Sequence, residues 1–371
     1  MTLHSMTKLI YAPSPDCADM LYATGFQAPD AFFFLEHRGK KTVLLSDLEI
    51  DRGRREARVD SVLSISELSR AMGGSPPLAA VAAYFLLQRK IRRVDVPSDF
   101  PLGVARTLEK AGLRVDPVEG HFWPQRETKT KGELAATRRA LQITKAGILR
   151  AVEVIRSSKV NRAKLLMWRG KKLTSEIVRA EADSAVLRAG GVPDGTIIAG
   201  GLQACDPHER GHGPLRAHEL IIIDIFPRDA RTGFFGDLTR TVVRGRASEA
   251  QRGMWRTVRA AQRLAIAEIK PGAQGAEVHR AVQEFFSVRG YPTGQHRGRW
   301  TGFFHGTGHG LGLDLHEEPR ISATVFRPGQ VFTVEPGLYY PGLGGVRHED
   351  VVTVTKSGCE MLCRLSVPLE L

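Results

Sequence analysis

Apolar positions in the first third of the chain alternate between short runs of strand length and longer runs of helix length. Residues 31–47 predict two strands joined by a turn at His37–Lys40, because aromatic and β-branched residues flank a polar, glycine-containing segment. Residues 77–90, PLAAVAAYFLLQRK, predict a helix, and residues 92–99 predict a short strand after it. This alternation predicts an α/β domain over residues 1–125.

A long amphipathic pattern follows this part of the chain. Over residues 130–158, leucine, isoleucine and valine recur every three or four positions among charged residues, which predicts one or two helices. We interpret residues 126–160 as a helical connector that opens a second domain, residues 126–371. A further helix is predicted over residues 173–191, where threonine and serine can cap its start and two glycines can end it.

Short apolar runs that contain an acid characterise the second domain. They are rich in β-branched and aromatic residues, and two helical stretches lie between the second run and a histidine segment. The pattern predicts strands with a carboxylate inside each of them. The runs are LIIIDIF, GFFGDLTRTVVRG, QVFTVEPGLYY and VRHEDVVTVT, and their acids are Asp224, Asp237, Glu335 and Glu349.

The composition is that of a globular chain with a core. Of the 371 residues, 42% are hydrophobic and 25% are charged, and the length allows two domains of ordinary size. No apolar run reaches the roughly 18 residues of a transmembrane helix, and the N-terminal residues lack the pattern of a secretory signal. The four cysteines form no CxxC pair, which indicates free thiols in a reducing compartment. We therefore expect a cytoplasmic protein without a membrane partner.

The excess of basic residues changes this picture little. Lys plus Arg number 53 against 40 for Asp plus Glu, a formal net charge of +13 that is compatible with a nucleic-acid partner. The arginines are spread through every segment, however, and no basic block is interleaved with aromatic residues as a stacking surface requires. We therefore interpret the charge as a solvated surface and expect no nucleic-acid partner.

A carboxylate within an apolar strand is costly unless a positive group compensates its charge. A single such acid is commonly a surface residue, but four acids in one core would repel each other unless cations bind there. The glycine-rich segment HGTGHGLGLDLHE, residues 305–317, adds three histidines. One imidazole with four carboxylates is a mostly oxygen ligand set, which favours Mn²⁺, Co²⁺ or Fe²⁺ over a structural thiolate zinc site. Such a set can hold two ions that share a hydroxide and polarise a carbonyl oxygen.

These segments together resemble the signature segments of the creatinase, aminopeptidase P and prolidase family. They occur in the family's order over about residues 130–371, and the N-terminal third resembles the creatinase-type N-terminal domain more loosely. The resemblance implies an α/β creatinase-like N-terminal domain followed by an α+β domain with the pita-bread fold of methionine aminopeptidases. The segments are IIIDIF, GFFGDLTRT, HGTGHGLGLDLHEEPR, FTVEPGLYY and GGVRHED.

The resemblance also implies a dinuclear metal site. It makes Asp224 a chelating ligand of one ion, and it makes His309 and Glu335 ligands of the second ion. Asp237 and Glu349 become ligands that bridge the two ions. The expected ions are Mn²⁺ in the first place, with Co²⁺, Fe²⁺ or Zn²⁺ as alternatives.

Three residues receive catalytic roles by the same resemblance. Glu335 is the candidate for proton shuttling during attack by a metal-bridging hydroxide. His305 and His316 are expected to bind the substrate and to stabilise charge on the tetrahedral intermediate.

Further side chains are expected to contact the substrate. His208 resembles a family histidine that closes over the substrate, although His212 and His218 lie in the same segment and are alternatives. Arg320 resembles an arginine that prolidases use on the substrate carboxylate, and an ordinary surface arginine is the competing interpretation. Arg347 is placed with them and is expected to orient acidic groups near the metals.

Two segments depart from the family pattern. Residues 225–236, between the first two acids, are longer than usual, and residues 291–304, before the first histidine, are extended and rich in arginine and tryptophan. Both are expected to border the substrate cleft, which leaves the substrate preference open.

The predicted function is a metal-dependent exopeptidase that hydrolyses the Xaa-Pro bond, either an Xaa-Pro aminopeptidase or an Xaa-Pro dipeptidase. Its partner would be a peptide with proline at the second position, and the resemblance implies a homodimer. One alternative is a creatinase-like amidohydrolase that acts on a non-peptide substrate. Another is a catalytically inactive pita-bread binding module, although such members usually lack metal ligands that this chain retains.

Overall fold

The computed structural model describes residues 7–119 and 122–371. Residues 1–6 and 120–121 of the predicted N-terminal domain lie outside the described part. The chain divides into two compact units, Met1–Arg126 and Glu127–Leu371.

The N-terminal unit is built on a six-stranded mixed sheet with the strand order β4-β3-β2-β1-β5-β6. The β1–β2 and β2–β3 pairs are antiparallel, whereas β1–β5, β3–β4 and β5–β6 are parallel. Its elements are β1 (Lys8–Ala12), α1 (Ala18–Thr24), β2 (Phe32–His37), β3 (Lys40–Leu45), α2 (Ile50–Glu56), β4 (Ser61–Ser64), α3 (Ile65–Ala71), α4 (Leu78–Gln88), β5 (Arg93–Pro97), α5 (Leu102–Lys110) and β6 (Arg114–Val118).

Alternation along the strands gives this sheet two apolar faces. Leu9 and Phe33 pack in a cluster with residues of α4 and α5, whereas Ile10 and Phe34 pack in a second cluster with residues of α1. The turn at Arg38–Gly39 has φ of 51° and 75°, the left-handed conformation typical of tight hairpins. The two strands, helix and strand predicted here are confirmed as β2, β3, α4 and β5.

The C-terminal unit combines long helices with small antiparallel sheets. The sheets have the strand orders β7-β8-β9, β10-β13, β11-β12-β14, β15-β16, β17-β20-β21 and β18-β19. The helices are α6 (Lys131–Ser157), α7 (Ser175–Arg188), α8 (Glu249–Glu268) and α9 (Gly275–Val288). The strands are β7 (Lys159–Val160), β8 (Leu166–Trp168), β9 (Lys171–Lys172), β10 (Gly191–Val192), β11 (Ile197–Gly200), β12 (Leu220–Ile225), β13 (Arg228–Asp229), β14 (Leu238–Val243), β15 (Gly294–His296), β16 (Arg299–Thr301), β17 (Val331–Val334), β18 (Gly337–Tyr340), β19 (Gly344–Arg347), β20 (Asp350–Val354) and β21 (Cys359–Met361).

The amphipathic pattern after residue 130 forms one helix of 27 residues, so a division into two helices is wrong. Its start is fixed by a capping box, in which the Thr130 side chain accepts from the Glu133 backbone N–H and the Glu133 carboxylate accepts from the Thr130 N–H. Gly147 does not break the helix. It lets α7 approach, because a Cβ atom there would lie 2.8 Å from Cγ2 of Val186.

The four acids lie at the ends of strands more often than inside them. Asp224 is within β12, as predicted, but Asp237 precedes β14 and Glu349 lies between β19 and β20. Glu335 lies between β17 and β18, where Pro336 lacks the N–H that a continuous ladder needs. The prediction of a carboxylate inside every strand is therefore wrong for three of the four runs.

Arg240 in β14 connects the strands that adjoin the acids with the C-terminal segment. Among the residues that the structure describes it is the largest fully buried side chain, with 1% exposure. Its guanidinium donates to the backbone carbonyls of Glu349 at 2.5 Å, Thr239 at 2.8 Å and Leu365 at 2.8 Å, and to the Asp350 carboxylate at 2.6 Å. A planar group with five donors thus joins β14, β20 and the last residues of the chain.

The two segments that depart from the family pattern have structures of their own. Residues 225–236 include β13, which pairs with β10. Residues 291–304 include the hairpin of β15 and β16, whose turn at Arg297–Gly298 has positive φ at both residues. All four cysteines are free, and within the described ranges no helix is both long and apolar enough to cross a bilayer.

Candidate metal centre and substrate cavity

A cavity of about 470 Å³ in the C-terminal unit brings together every site residue that the sequence predicts. Its lining includes His208 but neither His212 nor His218, so the geometry favours the first of the three alternatives. The predicted site residues in the lining are His208, Asp224, Asp237, His305, His309, His316, Arg320, Glu335, Arg347 and Glu349.

Two antiparallel sheets place the acids side by side. In β12–β14, Asp224 lies opposite Thr239, two residues after Asp237. In β17–β20, Val334 lies opposite Asp350, so the residues that follow and precede them, Glu335 and Glu349, meet at the end of this pair. The Glu349 N–H donates to the Thr239 carbonyl at 3.2 Å, which joins the two sheets at the acids.

Three of these carboxylates keep a buried oxygen without a hydrogen-bond partner among the described residues: Asp224 Oδ1, Asp237 Oδ1 and Glu349 Oε1. Burial first, and then the charges of Asp224 and Glu335, raise the pKa of Asp237 well above its usual value. Burial and the charge of Asp237 raise the pKa of Glu349 in the same way. Buried polar atoms normally have hydrogen-bond partners, so these unpaired carboxylate oxygens indicate a site for cations. The set of carboxylate oxygens and one imidazole nitrogen fits divalent metal ions.

The His309 ring is oriented as a metal ligand needs to be. Its Nδ1 lies 3.0 Å from the Gly310 carbonyl, which assigns the proton to Nδ1 and leaves the Nε2 lone pair free. Nε2 lies 3.3 Å from Glu335 Oε1 and 3.8 Å from Asp237 Oδ2. Ligand atoms of Asp237, His309 and Glu349 all lie within 4.8 Å of one another. Burial lowers the pKa of His309 to about 4, so the ring is in the neutral form that binds metals.

Two threonines that the sequence did not single out orient the acids. Thr239 Oγ1 donates to Glu349 Oε2 at 2.7 Å. Thr333 Oγ1 donates to Glu335 Oε1 at 3.1 Å and accepts from the His309 N–H at 3.1 Å. A threonine in a strand normally indicates only β propensity, so no signal in the sequence marked them.

A hydrogen-bonded chain links one acid to a substrate-side histidine through Tyr339, which the sequence reading also missed. Arg347 Nη2 donates to Asp224 Oδ2 at 2.6 Å, and Nη1 donates to the Tyr339 hydroxyl at 3.0 Å. The hydroxyl lies 2.9 Å from His305 Nε2, and His305 Nδ1 lies 2.8 Å from the Gly306 carbonyl. Burial raises the pKa of Tyr339 to about 12 and lowers that of His305 to about 4, so the tyrosine donates to a neutral ring.

His316 lies against His309, with ring centroids 4.3 Å apart and the rings nearly perpendicular. Burial lowers the pKa of His316 to about 4, with smaller contributions from the proximity of His309 and Arg320. Arg320 and His208 are exposed residues in the lining. All three side chains therefore face the space that a substrate would fill.

The rest of the lining includes an apolar wall. Phe226 comes from the first departing segment and Phe304 from the second, and Ile197 and Leu315 lie in the same lining. Both segments thus reach the cavity.

The glycines of the histidine segment are required by close backbone approach. A Cβ atom at Gly308 would lie 1.9 Å from the carbonyl oxygen of Thr333. At Gly310 it would lie 2.6 Å from the carbonyl oxygen of Glu317. Glycine at position 308 lets the main chain of this segment pack directly on β17, and glycine at position 310 lets the segment fold closely on itself.

A buried carboxylate cluster with one neutral imidazole, in a cavity large enough for a small peptide, defines a metallohydrolase. Residues 135–356 match metallopeptidase family M24, and the chain belongs to this family. It is 27% identical over 379 residues to the Xaa-Pro dipeptidase of Pyrococcus horikoshii, across 98% of this chain and 94% of that protein. The resemblance to the creatinase, aminopeptidase P and prolidase family is therefore confirmed, and the protein is a metallopeptidase of a family that uses divalent metal ions.

Solved structures confirm the fold class. The prolidase from Pyrococcus furiosus superimposes with a TM-score of 0.78 at 24% identity, covering 98% of this chain and 97% of that chain. The X-Pro aminopeptidase from Thermotoga maritima superimposes with a TM-score of 0.83 at 22% identity, covering 98% of each chain. The fold is the predicted α/β creatinase-like domain followed by an α+β pita-bread domain.

Proposed function

We propose that the protein is a dinuclear metal-dependent exopeptidase that hydrolyses the Xaa-Pro peptide bond. The observation that carries the proposal is the set of buried carboxylate oxygens of Asp224, Asp237 and Glu349 that lack hydrogen-bond partners beside a neutral His309. Relatives named Xaa-Pro dipeptidase and X-Pro aminopeptidase support proline at the second position of the substrate.

Each acid has a role in this proposal. Asp224 would hold one ion and His309 and Glu335 would hold the second, while Asp237 and Glu349 would serve both. Mn²⁺ is the first choice for a set dominated by carboxylates, with Co²⁺, Fe²⁺ and Zn²⁺ as alternatives. When bound, such ions polarise the scissile carbonyl and lower the pKa of water enough to make it a nucleophile near neutral pH.

The chain's own side chains handle the protons and the developing charge. Thr333 fixes one oxygen of Glu335, so the carboxylate can take a proton from the attacking water and deliver it to the proline nitrogen that leaves. His316 makes no hydrogen bond to any described residue, so its N–H is free to donate to the carbonyl oxygen as negative charge develops. His305, held by Tyr339, presents its ring to the substrate.

The apolar wall suits a proline ring, and the cavity offers candidate contacts for the ends of the peptide. Arg320 is proposed to bind the free carboxylate of a dipeptide, and His208 to close over the bound substrate. If Arg320 does bind the carboxylate, the enzyme is a dipeptidase, and otherwise it is an aminopeptidase that admits longer peptides.

The experiment compares three preparations with an Xaa-Pro dipeptide, an Xaa-Pro-Xaa tripeptide and an Xaa-Ala dipeptide as substrates. Protein stripped with a chelator should be inactive, and protein reloaded with Mn²⁺ or Co²⁺ should cleave only the proline substrates. Asp237→Asn, reloaded in the same way, should bind less metal and stay inactive. Full activity in protein that elemental analysis shows to be metal-free would refute the proposal, as would equal cleavage of Xaa-Ala.

Inability of the reloaded protein to cleave any of the peptides would favour the alternatives of a creatinase-like amidohydrolase or a binding module. A homodimer and a cytoplasmic location complete the proposal. Light scattering on the purified protein tests the first, and cell fractionation tests the second.

A further inference from the structure

A buried ion pair that the reaction does not use lies beside the cavity. The Lys129 ammonium donates to the Glu317 carboxylate, and the two side chains are only 2% and 8% exposed. Removing two opposite charges from water is often no better for stability than burying two apolar side chains of the same size. A buried pair next to functional residues therefore calls for an explanation beyond stability.

The lysine end of the pair is fixed by the backbone. The Lys129 N–H donates to the Gly329 carbonyl at 2.8 Å, and Thr128 forms a bridge with Gln330. These contacts hold Lys129 against the segment that enters β17, the strand that leads to Glu335. The backbone from which the Lys129 side chain extends is therefore fixed.

The glutamate end of the pair fills the inside of its own loop, residues 310–317. The Glu317 N–H donates to the Gly310 carbonyl at 3.0 Å, and Glu317 Oε2 lies 3.4 Å from the Asp314 N–H. A Cβ atom at Gly312 would lie 2.4 Å from Glu317 Oε1, so the loop wraps closely around this carboxylate. An interaction that fixes the Glu317 carboxylate therefore also fixes the conformation of residues 310–317.

The same loop carries His316. In the described part of the chain the His316 ring has the packing contact with His309 but no hydrogen bond, so its backbone must fix its direction. The adjacent residue, Glu317, is held in place by its buried ion pair with Lys129.

We propose that the Lys129–Glu317 pair is a positioning device that aims His316 at the substrate carbonyl. Lys129 is a positioning residue, since its ammonium acts on the reaction only through Glu317 and the loop. This inference rests on the proposed function, because it takes the role of His316 from there.

The test is a double-mutant cycle between Lys129→Met and His316→Ala, measured with an Xaa-Pro dipeptide on enzyme reloaded with Mn²⁺. Lys129→Met should lower kcat by about 10- to 100-fold, the scale of a misplaced catalytic group, with metal stoichiometry and KM near the wild-type values. In the His316→Ala background the same change should lower kcat less than about twofold, since its effect passes through His316. Lys129→Arg, which keeps the charge, should recover most of the wild-type kcat.

Two further variants separate positioning from stability. Arg150→Met breaks the pair that Arg150 forms with Glu181 at 2.5 Å, outside the cavity lining, and should change thermal stability without changing kcat. Lys129→Met combined with Glu317→Gln leaves no unpaired charge, so it should fold even if Lys129→Met alone does not, and should still be slow.

A folded double variant with the wild-type kcat would overturn the inference. So would a Lys129→Met effect of equal size with and without His316. If His316→Ala itself turns over at the wild-type rate, the proposed role of His316 fails and this inference fails with it. If His316→Ala is slow but Lys129→Met turns over at the wild-type rate, the positioning inference is overturned and the proposed role of His316 stands.

Discussion

Asp237→Asn should stabilise the metal-free protein while it weakens metal binding. In the metal-free state Asp237 faces other buried acids, and burial and the charges of Asp224 and Glu335 raise its pKa. A ligand oxygen of Asp237 lies within 4.8 Å of one of Glu349. Replacing the carboxyl group by a neutral amide of the same shape removes this repulsion, and it also removes a proposed bridging ligand.

The magnitude follows from the distance. Two full charges about 4.8 Å apart repel by about 3 kcal/mol at an effective dielectric constant of about 20. Part of that repulsion is already relieved, because burial and neighbouring charges raise the pKa values of Asp237 and Glu349 and so favour their uncharged forms. We therefore expect a gain of about 1–2 kcal/mol in the free energy of unfolding, or a rise in Tm of about 2–8 °C.

The assay is thermal unfolding of both proteins in excess chelator and again with Mn²⁺, together with elemental analysis and turnover. The order of stability should reverse, since only the wild-type protein gains strongly from the metal. Asp229→Asn is the matched control. Asp229 is also fully buried, but it accepts from the Arg231 N–H at 3.0 Å, from Thr232 Oγ1 at 2.9 Å and from Arg139 Nε at 3.0 Å.

Because its partners would lose a charged acceptor, Asp229→Asn should lower the Tm with and without metal. The reasoning is refuted if Asp237→Asn destabilises the metal-free protein as the control does. It is also refuted if Asp237→Asn is stabilised by Mn²⁺ as much as the wild type.

Three further predictions concern other side chains. His309→Ala should lose metal and turnover together, whereas His316→Ala should keep both ions and lose roughly 10²- to 10³-fold in kcat; metal stoichiometry and kcat of each variant check this, and loss of metal from His316→Ala would contradict it. Arg320→Ala should raise KM for an Xaa-Pro dipeptide by an amount equal to about 1.5–3 kcal/mol and leave an Xaa-Pro-Xaa tripeptide nearly unaffected, so equal effects would remove Arg320 from carboxylate recognition. Burial raises the pKa of Asp183, whose charged form is therefore less favourable in the folded protein than in the unfolded chain. The stability that Asp183 contributes is present at low pH and is lost as the pH rises past 3.8, the ordinary pKa of this carboxyl group. Asp183→Asn should therefore raise the Tm near neutral pH and not at pH 3. A rise of equal size at both pH values would contradict the expected direction of this pH dependence.

The fold and the members of the site could be predicted well because each rests on a local pattern. The capping threonine of α7 and the hydrophobic period of α8 and α9 are complete within their own segments. The ten predicted site residues, all of which lie in the cavity lining, belong to motifs that each span a few positions.

What the sequence did not reveal depends on contacts between distant segments. Tyr339 looks like a core aromatic until the fold brings its hydroxyl to both His305 and Arg347. Lys129 lies 188 positions from Glu317 in the sequence, and no local pattern around either residue predicts that the two form a pair. Glu335 lies at a strand end and not inside a strand because Pro336 lacks the N–H that would continue the ladder.

The cavity has a floor formed by main chain and by acids within or next to strands, and a wall that includes side chains from residues 225–236 and 291–304. At Gly308 the floor leaves no room for a larger residue, since a Cβ atom would overlap a backbone oxygen. Phe226 and Phe304, in contrast, reach the lining from outside the strands that contain or adjoin the four acids. We therefore expect that substrate choice can be changed without changing the residues proposed to carry out hydrolysis. A library that randomises these two phenylalanines can explore new peptide preferences without changing any proposed metal ligand, which makes the protein a suitable starting point for directed evolution.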